Sequence, residues 1–228
     1  MQDKCIAQCD GVIAVSEELC ERARLIRGDD RVLCLPNATS LEPVDMGKEP
    51  SKLANVQHPR IGFIGHIGPW VDTDLIINIA LRKPHYQWCI IGSVTPSVMN
   101  KFKSYKNIHV MGIQPYVTLP NWMSYMDVLV APSIKNTLGD VSKIYDYLTS
   151  GKVIVSSPSE TAQRFSGLIA IADNNPNSWE IALEKSLCEN DKDLVWKRKK
   201  AARDNKWSQR AQDLLNWLHI INKKMSST

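Results

Sequence analysis

Lys143-Ile144-Tyr145-Asp146-Tyr147-Leu148-Thr149-Ser150-Gly151-Lys152-Val153-Ile154-Val155-Ser156-Ser157 reads as a short helix that stops at a glycine and runs straight into an apolar strand. Asp140 or Ser142 is placed to cap that helix. Lys143 then falls in its first turn, where the macrodipole repels a cation by a few tenths to about 1 kcal/mol. A bound anion would explain such a charge. At spacing i, i+3 Asp146 shares the face of Lys143, so one helix start offers N–H groups and an ammonium to a phosphate and a carboxylate to a sugar hydroxyl. This is the outline of a nucleotide-sugar pocket.

The helix and strand are one step of a longer alternation. Apolar runs, many β-branched, recur at 11–15, 32–35, 61–64, 87–91, 108–111, 127–131, 153–156 and 168–171, with segments of helical character between most of them. Such a βαβα order predicts an α/β fold with a doubly wound, Rossmann-like parallel sheet. Residues 72–81 read as a helix that Asp72 caps, with Pro84 beyond its end and Leu75, Ile76, Ile79 and Ala80 as its core stripe. A shorter helix is expected at 118–126, with Pro120 in its first turn, and an amphipathic one at 207–223 carrying Ala211, Leu214, Leu215, Leu218 and Ile221 on one face. Residues 41–51 hold two prolines and a glycine and break the pattern, which marks a linker. The strand, the helix from 17 to about 26 and the strand at 31–35 that precede it cannot close a core alone.

With 228 residues, 43% hydrophobic and 23% charged, the composition is that of an ordinary globular chain of one or two domains. There is no apolar run of the roughly 20 residues a membrane span needs, and no signal-peptide pattern, so a cytoplasmic protein is expected. The six cysteines (Cys5, Cys9, Cys20, Cys34, Cys89 and Cys188) lack a paired metal-ligand spacing and read as reduced thiols. No metal is expected. The sequon Asn37-Ala38-Thr39 reads as chance. Much of the formal charge of +4 lies in 196–206. A solvated helix face explains that run ahead of an anionic membrane surface, and the few, uninterleaved aromatic residues speak against nucleic acid.

The opening stretch resembles the donor-binding motif of the GT-B glycosyltransferases, in particular the family 4-like enzymes of teichuronic acid and exopolysaccharide synthesis. Upstream, Arg60-Ile61-Gly62-Phe63-Ile64-Gly65-His66-Ile67-Gly68-Pro69-Trp70-Val71-Asp72 is similar to the first strand and glycine loop of that family's C-terminal domain. The strands ending at Gly92, Gly112 and Pro132 follow in the family's order. Cys9-Asp10-Gly11-Val12-Ile13-Ala14-Val15-Ser16 resembles the last strand and helix start of its N-terminal domain, and Leu35-Pro36-Asn37 its interdomain crossing.

The resemblance implies a remnant of an N-terminal Rossmann-like domain at 1–40, with the larger part of that domain missing, and an interdomain linker at 41–57. A nucleotide-sugar-binding domain at 58–206 and a helix at 207–228 that returns to the first domain complete the expected division. It also implies donor binding by Gly65, His66, Gly68, Ile113, Gln114, Val141, Ser142, Lys143 and Asp146. Asp146 stands at the second acid of the family's Glu-x7-Glu pattern, and the first is replaced by Leu138. No arginine or lysine lies between Arg60 and Arg82, so the diphosphate would depend on Lys143, on amides near Val141 and Ser142, and on Lys135 or a charged His66. For His66 an ordinary hydrogen-bonding role stays open, as does a plain turn for Gly112 to Pro115.

The implied activity is transfer of a sugar from a nucleoside-diphosphate donor, with no further cofactor, to a glycan or lipid-linked acceptor in cell-surface polysaccharide synthesis. Peripheral contact with the inner face of the membrane is a secondary expectation. No catalytic residue is named, because the acceptor side belongs to the other domain. The rival reading is a nucleotide-sugar-binding module without turnover, or a truncated, inactive fragment.

Overall fold

The computed structural model describes residues 2–43, 47–134 and 141–225. The chain starts with α1 (Gln2–Gln8), β1 (Val12–Ala14), α2 (Glu17–Arg27) and β2 (Val32–Cys34). β1 and β2 pair in parallel, Ala14 opposite Cys34. The Ser16 side chain caps α2 by accepting from Leu19 N, and Gly28 ends it in the left-handed region, at φ 71°. Among the described residues, this unit has only Cys20, Ala23 and Val32 as its buried apolar core. It leans instead on the end of the chain, where Trp217 packs so closely on Gly11 that an added Cβ would lie 2.6 Å from its ring.

The larger unit runs through β3 (Arg60–Ile64), α3 (Thr73–Arg82), β4 (Gln87–Ile91), α4 (Pro96–Phe102), β5 (Ile108–Gly112), α5 (Leu119–Ser124), β6 (Val128–Ala131), α6 (Ser142–Leu148), β7 (Val153–Ser156), α7 (Glu160–Arg164) and β8 (Ala170–Ile171). Its six strands are parallel in the order β5-β4-β3-β6-β7-β8. Helices α8 (Pro176–Leu187), α9 (Lys192–Arg203) and α10 (Trp207–Met225) close the chain. This is the doubly wound sheet the alternation predicts, with the strand order reversing between β3 and β6. Ligands in such sheets bind at the carboxyl ends of the strands near that reversal.

Both faces of the sheet are covered, which is why its strands read as unbroken apolar runs. Phe63, Trp88, Ile90 and Val130 join α3 and α8 in one core, through Ile76, Ile79, Trp179 and Leu183. Ile64, Cys89, Ile91 and Leu129 join Met126, Tyr145, Tyr147 and Leu148 in the other. Asp72 caps α3 by accepting from Leu75 N at 2.9 Å. The helix expected at 118–126 is shorter, since Tyr125 and Met126 close it with tight bonds to Trp122 O and Met123 O. β8 is trimmed for a similar reason, because Leu168 N and Ile169 N both turn back to Phe165 O.

Residues 35–42 pass between the two units beside the start of α10. Thr39 N donates to Asn205 O and Trp207 N to Thr39 O, while Lys206 reaches Leu41 O and Glu42. Among the described residues no helix is long and apolar enough to cross a membrane.

Candidate donor site at the strand ends

The ends of β3, β4 and β5 form a ledge of bare backbone. Gly65, Gly92 and Gly112 stand there with φ of 132°, 140° and 75°, and Gly65 N and Gly92 N bond to Ile91 O and Gly112 O. A Cβ on Gly92 would sit 2.0 Å from Gly65 O. Only glycine permits that approach. Above the ledge opens a cleft of about 230 Å³ whose walls include Gly65, His66, Gly92, Ser93, Ile113 and Gln114. Larger hollows of about 420 and 350 Å³ lie at the other end of the sheet around Arg198. That guanidinium is already engaged by Glu189, Leu168 O and Gly151 O, so those hollows offer no free cation from Arg198.

Lys143 projects from the first turn of α6 onto this ledge. Its Cε would meet a Cβ on Gly65 at 3.4 Å, and its ammonium lies 4.9 Å from the centroid of the Phe63 ring. Among the described residues it makes no hydrogen bond or ion pair. Burial pushes its pKa from 10.5 down to about 8, because a desolvated ammonium with only an aromatic face for company is costly. The N-cap position of α6 is Val141, with no side-chain cap. Ser142, expected there, is instead the first helical residue, and Asp140 lies outside the described residues. The amides of Ser142 and Lys143 have no acceptor within the helix.

One turn on, Asp146 faces the interdomain crossing. Its Oδ1 accepts from Thr39 Oγ1 at 2.6 Å and Tyr116 OH at 2.8 Å, which leaves Oδ2 without a partner among the described residues. Burial raises its pKa against the opposing pull of those two bonds and of Lys206. Asp146 therefore links α6 to residues 35–42, a role the i, i+3 spacing did not suggest.

Tyr147 fixes α6 to the point of strand reversal. β3 and β6 pair only at Ile61–Val128 and Gly62–Leu129 and then part. The buried Tyr147 hydroxyl fills the gap, accepting from Ile64 N at 2.8 Å and donating toward Ile64 O and Val130 O at 3.1 and 3.3 Å.

The remaining expected residues divide. His66 is exposed, with Nδ1 2.8 Å from Ser93 Oγ and its ring edge-on to Trp70 at 5.6 Å. Gly68 is buried under the Trp70 ring, 2.5 Å from where its Cβ would be, so it supports the loop and does not face the cleft. Ile113 is 77% exposed beside Gln114, whose amide donates to Met111 O. The Val141 amide donates to Thr161 Oγ1 at 2.7 Å and is not free for a ligand. Lys135 and Leu138 lie outside the described residues. Sequence reasoning passed over Gly92, although it follows its strand just as Gly65 does; Ser93, Thr39, Tyr116 and Thr161 enter through contacts distant in sequence.

No family model matches the chain. It is 23% identical over 221 residues to the "Putative teichuronic acid biosynthesis glycosyltransferase TuaH" of Bacillus subtilis strain 168, covering 89% of this chain and 55% of that relative. The chain thus spans about half the length of the curated relative it matches. Among solved structures, the sucrose-phosphate synthase of Thermosynechococcus elongatus superposes with a TM-score of 0.78 at 15% identity, covering 100% of this chain and 61% of that one. Anabaena HepE in complex with UDP-glucose superposes with a TM-score of 0.62 at 15% identity, covering 96% and 64%. The fold is that of the GT-B glycosyltransferases, of whose chains this one spans a part.

Proposed function

We propose that the chain binds a nucleoside-diphosphate sugar at the ends of β3, β4 and β5 and forms the donor side of a glycosyltransferase. The observation that carries this reading is Lys143, a partly buried ammonium with no anion beside it among the described residues, standing over the glycine ledge. In this reading the diphosphate lies between Lys143 and the Ser142 and Lys143 amides. The base enters the cleft by Ile113 and Gln114, and Asp146 Oδ2 accepts a ribose hydroxyl. Uracil is the first base to try, because the Anabaena neighbour is in complex with UDP-glucose.

Glycosyl transfer leaves negative charge on the departing diphosphate, so a cation and amides already in place favour the transition state over the ground state. The acceptor and any general base come from across the crevice, whose second wall also excludes water. A glycan or lipid-linked acceptor in cell-surface polysaccharide synthesis fits the described role of the Bacillus relative, and peripheral contact with the membrane holding it belongs to the same proposal. Isothermal titration with UDP and UDP-glucose tests the reading. Saturable binding by the chain that weakens in Lys143→Ala is expected; equal binding by both proteins removes Lys143 from the site.

A further inference from the structure

The small parallel sheet ends on three metal-ligand groups that the linear sequence keeps apart. Glu17 and Cys20 are one turn apart on α2, and Cys34 is the last residue of β2. A carboxylate oxygen of Glu17 and the two sulfurs all lie within 4.8 Å of one another. In a tetrahedral zinc site, with Zn–S near 2.3 Å and Zn–O near 2.1 Å, ligand atoms are about 3.5–3.8 Å apart. Side-chain adjustments of about 1 Å therefore close the set. The thiols sit in an apolar setting of Ala14, Ala23 and Val32, with Cys20 fully buried and Glu17 exposed. One side is thus dry and the other is open to a water as fourth ligand.

Glu160, across the crevice on α7, brings a second carboxylate, whose oxygens both accept from Glu17 N at 3.0 Å. Arg24 lies 3.8 Å from the Glu17 carboxylate and Arg164 3.0 Å from that of Glu160.

We propose that Glu17, Cys20 and Cys34 bind one Zn2+ ion that ties the start of α2 to the end of β2, beside the contact with α7. Binding replaces two S–H bonds by two zinc–sulfur bonds and releases both protons to solvent.

The test uses the full chain with the exposed Cys5, Cys9 and Cys188 changed to serine, kept reduced by a phosphine so that no Cys20–Cys34 disulfide forms, and titrated with Co2+. A sulfur-to-cobalt charge-transfer band saturating at one ion per chain and bleached by Zn2+ is expected. Cys34→Ala should abolish the band, and Glu17→Gln should keep it while weakening Co2+ binding by about tenfold or more. Absence of the band, or its survival in Cys34→Ala, overturns the proposal. Should Cys34→Ala fail to fold by circular dichroism, unchanged Co2+ affinity in Glu17→Gln does the same, since that carboxylate is exposed and dispensable for the core.

Discussion

Replacing Lys143 by methionine separates the cost of its charge from its use. A pKa driven from 10.5 to about 8 means that keeping the ammonium charged in the empty site costs up to about 3 kcal/mol. Solvent reaching the side chain reduces this, and losing the Phe63 contact gives back about 1 kcal/mol. Methionine keeps the apolar stem, so the free protein should gain about 1–2 kcal/mol and melt about 2–8 °C higher. UDP binding should move the other way. Losing one charge-assisted contact to phosphate is worth about 2 kcal/mol, or roughly 30-fold in Kd.

The pH dependence has a definite sign. Burial favours the neutral amine above about pH 8, whereas a bound diphosphate favours the ammonium. Affinity should therefore be full below about 8 and fall by up to tenfold per pH unit above it, and Lys143→Met should be flat across the same range. The free protein gains stability between about 8 and 10.5, where the unfolded chain holds the extra proton. Titration calorimetry with UDP and thermal melts, each at several pH values, read both effects. A wild-type affinity unchanged through pH 8, or a variant both less stable and equally good at binding, refutes the placement.

Tyr147→Phe strands Ile64 N at the strand reversal and should cost about 1–3 kcal/mol; an unchanged urea midpoint would remove that bridge from the account. Gly92→Ala meets Gly65 O at 2.0 Å with φ at 140°, so strain and overpacking should cost about 3 kcal/mol or more, read as loss of soluble folded protein or a large fall in midpoint. Asp146 has a raised pKa, so the native state holds more protons than the unfolded one just above the ordinary carboxylate range, and stability falls there as pH rises. Asp146→Asn should flatten that fall, checked by urea midpoints from about pH 4 to 7. Asp146→Ala should instead expose residues 35–42 to faster hydrogen exchange, because Thr39 and Tyr116 lose their shared acceptor.

The sheet was legible because strands covered on both faces must be apolar throughout: Gln87–Ile91 and Val153–Ser156 announce themselves as β-branched runs bounded by turns. The Asp72 cap was legible for the same local reason, its partner being three residues away. The placement of candidate residues was legible only where a residue's position along its own element determined its setting, as with Lys143 in a first turn and Gly65 after a strand. Contacts from remote elements were not. Thr161 occupies the Val141 amide, Thr39 claims Asp146, and the Tyr147 hydroxyl serves strands whose separation only the folded sheet sets. Trp70 lies two residues from Gly68, yet only its rotamer shows the glycine to be covered.

Reductive 13C-methylation of the lysines, with the Lys143 resonance assigned through Lys143→Met, allows that one amine to be titrated by NMR with and without saturating UDP. A midpoint near 8 in the free protein that rises by about one pH unit or more when UDP is added is the predicted outcome. A Lys143 titration that UDP leaves unmoved would mean that the nucleotide binds elsewhere or not at all.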